Sequence, residues 1–206
     1  MPSRSLEHCS LHYLNQWIRH DSQCCQAFKF GTTTEKLSAL SHAVSFYGIS
    51  RNLPLRSDTN KGLPRFKPLL NALEQVKPQD FKSNPVAGIR KFESAIQKHY
   101  GSASKASLAT KVLWLRLKRP IIIYDAQVRI AIGTRPGDLD SFYARWRESF
   151  ETKNAEISQV CERLEKMGDY SVDHKLATPK YIRKVASTKW FRERVFDIYL
   201  WNLGAN

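Results

Sequence analysis

Acidic residues are scarce in this chain: 19 Asp and Glu stand against 33 Lys and Arg over 206 residues, a formal net charge of +14. An excess of that size points to a polyanionic partner. Long apolar runs are also missing, and no stretch approaches the roughly 18 residues of a membrane-spanning helix. The opening MPSRSLEHCS has none of the apolar character of a secretory signal. The expected location is therefore the cytoplasm, at the nucleoid if the source is bacterial, with no membrane partner. Cysteine is limited to Cys9, Cys24, Cys25 and Cys161, which show no C-x-x-C spacing, and the six histidines form no H-E-x-x-H arrangement. These absences argue against a disulfide framework, and the expectation is reduced structural thiols and no bound metal.

Strand-like alternation of apolar and polar residues is absent as well, so the expected fold class is all-α. With no internal repeat and no low-complexity segment, residues 1–206 read as a single all-helical domain, or as two small lobes sharing a core. The basic residues run from Arg4 to Arg194 and are interleaved with aromatics rather than gathered in a tail. That distribution fits a folded surface for nucleic acid better than a polybasic membrane tether.

Helical spacing is present almost everywhere. Leu6, Cys9, Tyr13, Leu14, Trp17 and Ile18 form one stripe, and Leu37, Leu40, Val44 and Tyr47 another that Gly48 ends. A long connection rich in Gly, Pro and Asn is expected over 48–67, followed by a helix through Leu69, Leu70, Leu73 and Val76. Asn84 and Pro85 open a helix holding Ile89, Phe92 and Ile96, which stops at Gly101. Helices follow over about 105–117, closed by Pro120, and from Asp125 through Val128, Ile130 and Ile132 to Gly133. A long helix from Asp138 to about Lys166, one near 179–187 and a last one over about 189–203, apolar on almost every side, complete the chain.

Two charged residues stand out against this background. On a helix, Lys111 shares a stripe with Leu108, Val112 and Leu115. Desolvation there disfavours the ammonium and would make the amine a usable nucleophile. The alternative is a lysine that sends its head to water from the edge of the stripe. Asp125 follows an apolar run and heads a helix, where a carboxylate accepts backbone N–H bonds and stays ionised. A plain structural cap is the alternative for Asp125.

SLATK, an apolar helix, a proline-containing break and IYDAQV, over about 101–133, resemble the helix-hairpin-helix DNA glycosylase superfamily. The likeness is greatest to the 8-oxoguanine DNA glycosylase branch and its short all-helical bacterial members, and a weaker likeness extends over 189–204. It implies a fold of two helical lobes flanking a DNA-binding cleft. It also implies that Lys111 is a Schiff-base lysine and Asp125 the essential aspartate. The separation of 14 positions is slightly shorter than in the eukaryotic members, so the loop KRPIII reads as trimmed. Where the family has G-x-G before the lysine, this chain has Ser107, Leu108 and Ala109. Phosphate contacts are then expected from Lys105, Ser107 and the amides at the helix start, Ala109 included. The four cysteines of the iron–sulfur members are missing from the C-terminus, so no cofactor is expected.

Asp197 and Trp201 are four apart on the last helix, a spacing at which a carboxylate can accept from a base edge while an indole stacks on its plane. With Leu115 and Tyr124 they make up the candidate base pocket. The alternative for this pair is a buried ion pair of Asp197 with Arg194, and a core tryptophan. The implied activity is a DNA glycosylase with AP-lyase action on double-stranded DNA carrying a flipped base, working as a monomer. Its substrate would be oxidised guanine or a hypermodified phage base removed in antiviral defence. A glycosylase that uses water, and a non-catalytic helix-hairpin-helix DNA-binding module, are the two alternatives.

Overall fold

The computed structural model describes residues 4–50, 53 and 62–205. Among these residues all regular structure is helical and no strand occurs. No described helix is long and apolar enough to cross a membrane. Part of the connection expected over 48–67, namely 51, 52 and 54–61, lies outside the described residues.

The helices are α1 (Leu6–Gln16), α2 (Ser22–Phe30), α3 (Thr33–Phe46), α4 (Lys67–Glu74), α5 (Pro85–Tyr100), α6 (Ala106–Leu117), α7 (Ala126–Ala131), α8 (Leu139–Arg163), α9 (Pro179–Ala186) and α10 (Lys189–Gly204). Their starts follow local chemistry. Ser5, Asn84, Asp125, Asp138, Thr178 and Thr188 each accept a bond from an amide in the first turn. Thr32 and Glu35 form a reciprocal capping box at the head of α3. The stripe that begins at Leu6 is not one continuous α-helix, because a π-helical turn occupies Trp17–Asp21. α2, for which the sequence pattern gives no expectation, follows directly and buries Cys24 and Phe28 one turn apart.

The chain forms two compact units, one of Met1–His20 with Tyr124–Asn206 and one of Asp21–Ile123. In the first, α10 packs against α1, α7, α8 and α9. Its core is aromatic: the Trp146 ring lies 5.3 Å from both Phe150 and Phe196, and Tyr13 lies 4.9 Å from Phe191. Gly204 rests directly on the backbone of α7, and any side chain there would run into the Gln127 carbonyl. Ile130 is 54% exposed, because the six-residue α7 turns only Val128 fully inward.

In the second unit α6 packs against α2, α3, α4 and α5. Leu108, Val112, Trp114 and Leu115 meet a core that includes Leu40, Leu69, Ile89 and Ile96. Gly101, with φ of 89°, ends α5, and the five residues 101–105 lead straight into α6. Lys118, at φ 59°, turns the chain out of α6 two residues before Pro120.

Candidate functional site

Lys111 lies in the second unit and is 6% exposed. The stripe expected from spacing understates its burial, because α6 is enclosed at Thr110, Leu113 and Trp114 as well. The ammonium does not escape to open water. Its Nζ donates to Ser107 Oγ at 3.1 Å, one turn back, and sits 5.8 Å from the centre of the Tyr47 ring. Tyr47 in turn donates its hydroxyl to the carboxylate of Asp21 at 2.8 Å. Asp21 is 1% exposed. Spacing singles out neither Tyr47 nor Asp21 as a neighbour of this lysine, because they are brought in by α3 and by the turn that precedes α2.

The residues expected to hold phosphate are placed differently from one another. The N-cap residue Lys105 makes no side-chain cap at the start of α6, and the Ala106 amide donates instead to Ser104 Oγ at 3.4 Å. Ser107 is half-buried and occupied with Lys111. Ala109 is fully enclosed, and its amide already bonds to the Lys105 carbonyl at 2.7 Å, so it has no N–H to offer a ligand. Lys105, expected as a surface cation, is 4% exposed, and its own amide is fixed by the Glu93 carboxylate at 2.6 Å. That bond draws the end of the 101–105 link inward and folds the lysine stem into the protein. Leu115, at 1% exposure, belongs to the core of its unit.

Asp125 lies in the first unit, where it caps α7 by accepting from the Gln127 amide at 3.1 Å while staying half-buried. Tyr124 accepts from the Gly137 amide at 2.8 Å and meets Phe142 edge-on at 4.9 Å, contacts that fix the ring. Asp197 is 4% exposed and bonded at both oxygens, by Arg194 Nη1 at 2.7 Å and by the Trp146 indole at 2.7 Å. Arg194 is itself 5% exposed and stands 5.3 Å from the Tyr13 ring centre. Burial pushes the Asp197 carboxyl up to about 6, against the opposing charge and hydrogen bonds of Arg194 and Trp146, and the Asp125 charge adds to the rise.

The pairing of Asp197 with Arg194 is the alternative weighed from sequence, but its companion is not in the core: Trp201 is 47% exposed. The two side chains differ in depth, and they do not form one wall. The four thiols are all held up by burial, Cys9 to about 11 and Cys24, Cys25 and Cys161 to about 12, so they stay protonated near neutral pH.

Comparison of the chain with protein-family models, curated proteins and solved structures finds no match. The chemistry of the two units therefore rests on their own side chains. One holds an enclosed primary amine next to a hydroxyl and a ring, and the other a partly open carboxylate at a helix head.

Proposed function

We propose that the chain is a DNA glycosylase of the helix-hairpin-helix superfamily, close to its 8-oxoguanine branch, with AP-lyase activity through Lys111. The observation that carries this reading is the enclosure of Lys111 in α6, at 6% exposure, immediately after the compact link from α5. A surface lysine needs no such setting. A lysine that must react as an amine benefits from leaving bulk water. In this reading α5, the link 101–105 and α6 are the hairpin of the superfamily.

Cleaving the bond between a base and deoxyribose builds positive charge on the sugar, and Asp125 would stabilise that charge from the head of α7. The Lys111 amine attacks C1′, the base leaves with the bonding electron pair, and the sugar ring opens to an imine. Loss of a C2′ proton then expels the 3′ phosphate. The base must first leave the stack, at a cost of a few kcal/mol. Trp201, half exposed on α10, is available to stack on it. The deeper Asp197, held by Arg194 and Trp146, fits a role in setting the field around Asp125 better than direct contact with a base edge.

The test is borohydride trapping on abasic duplex DNA, together with excision from a panel of duplexes carrying oxidised, alkylated and phage-type modified bases. Wild-type protein should give a covalent adduct and Lys111→Gln none. Failure of the wild type to be trapped on any duplex ends the Schiff-base reading. Excision that persists without trapping assigns the water mechanism, and DNA affinity with neither activity assigns a non-catalytic binding module.

A further inference from the structure

Far along the chain from both candidate catalytic residues, α8, α9, α10 and the 3₁₀ turn Leu164–Tyr170 of the first unit line a cavity of about 310 Å³. Its inner side is set by Arg192, on the second turn of α10. Arg192 Nη1 donates to Ser158 Oγ at 2.6 Å, and that hydroxyl passes its own proton to the Asn154 carbonyl at 2.7 Å. The guanidinium is thus anchored by a neutral oxygen, and no carboxylate pairs with it among the described residues. Its Nε is shut away from solvent and meets no acceptor there. An enclosed cationic donor without an acceptor is uncommon in a native fold and calls for an explanation.

A second guanidinium lines the same cavity. Arg183 is bonded through Nε to Glu165 at 2.6 Å, and its terminal nitrogens carry no bond among the described residues. The Cys161 thiol, also in the lining, is neutral near neutral pH and adds no competing charge. Glu162 is the one acidic side chain of the lining not tied to a cation, and it stays exposed. Residues 179–194, which supply both arginines, contain six basic residues and a single acidic one.

We propose that this cavity binds a phosphate group, clamped between the guanidinium of Arg192 and that of Arg183. Planar guanidinium forks match the oxygens of phosphate, and a bond to a charged oxygen is about twice as strong as a neutral one. The group can belong to a free phosphomonoester or to a nucleic-acid backbone, and the site stands whether or not Lys111 is a nucleophile. The competing account is internal: the enclosed Asn154 Oδ1, which also has no partner, turns toward Arg192 and satisfies it.

The experiment is titration of the ¹⁵N-labelled full chain with inorganic phosphate at constant ionic strength, with chloride as control. Saturable shifts are expected at the amides of Ser158, Cys161, Ser187 and Arg192. Arg192→Gln should weaken binding by about tenfold or more, and Glu162→Gln should tighten it by roughly twofold to threefold. Arg183→Gln, altering a side chain that is 72% exposed, should weaken binding several-fold without touching the fold. Absence of saturable shifts at these amides in the wild type, or equal affinity in wild type and Arg183→Gln, overturns the site in favour of the Asn154 account. Duplex DNA then distinguishes the sources. A fall of about one in the slope of log affinity against log salt for Arg192→Gln identifies a backbone phosphate, and an unchanged slope identifies a free phosphomonoester.

Discussion

α6 and α10 carry the apolar helical stretches SLATKVLWLRL and RVFDIYLWNLG, yet they are buried in different ways. Nine of the twelve residues of α6 are enclosed, against six of the sixteen of α10. Each helix packs against four others of its own unit, so the number of neighbours does not account for the difference. The contrast lies both around the helix and along it, because Lys189, Trp190, Arg192, Glu193, Ile198 and Tyr199 of α10 are only partly covered. Burial in α10 stops at Leu200, after which Trp201 and Leu203 are 47% and 37% exposed. Each helix also buries a cation: Nζ of Lys111 donates to the Ser107 hydroxyl beside the Tyr47 ring, and Arg194 pairs with the Asp197 carboxylate at 2.7 Å. A pair like the second is built to stay as it is, since breaking it leaves a charge stranded in the core. An apolar helix thus states only that it wants cover, and the fate of its polar residues depends on what the covering helices bring.

The comparison can be broken or sharpened by substitution. The largest effect expected is complete loss of the borohydride-trapped adduct in Lys111→Gln, with circular dichroism unchanged. Next comes Trp114→Ala, which empties a site on α6 that is 1% exposed and should lower stability by about 3–5 kcal/mol in urea denaturation. A loss under about 1 kcal/mol would show that α6 is not the packed centre of its unit.

Asp197 offers an effect of intermediate size with a definite sign. Its carboxyl is raised from 3.8 to about 6, so the fold favours the protonated form. The stability contributed by this group is therefore present below the unfolded value and lost as pH rises through about 6, an order of about 3 kcal/mol. Wild-type stability minus that of Asp197→Asn should accordingly shrink between pH 4 and 7. A difference that grows with pH would mean that the Arg194 ion pair outweighs desolvation. The smallest stability effect belongs to Trp201→Ala, expected below about 1 kcal/mol because the ring is half in solvent. Its excision rate should nevertheless fall far more than its cleavage of a preformed abasic site, and equal losses would remove Trp201 from base recognition.

Much of the helical plan was readable in advance because it depends on neighbours in sequence. Asn84 with Pro85, Asp125, Asp138 and the glycines at 101 and 133 mark ends that the chain adopts. The π-helical turn at Trp17–Asp21 was not readable, since the stripe continues through it without a break in spacing. The depth of Lys105 escaped for a similar reason. A lysine beside Ser and Ala looks like surface, and only the Glu93 carboxylate, twelve positions earlier, draws the segment inward. At the candidate site, Lys111 and Asp125 could be picked out because each sits in a pattern that its own helix defines. The links from Tyr47 to Asp21 and from Trp146 to Asp197 span 26 and 51 positions, and no local pattern encodes them.

Gly204 gives the contact between α7 and α10 a mechanical meaning. Its missing side chain lets the end of α10 rest on the backbone of the helix that Asp125 heads, so the last turn of α10 acts as a stop against which α7 is seated. A methyl group there would act as a shim, levering α7 and its leading carboxylate away from their resting position. Gly204→Ala should consequently slow excision out of proportion to the change in melting temperature, although position 204 has no part in the chemistry.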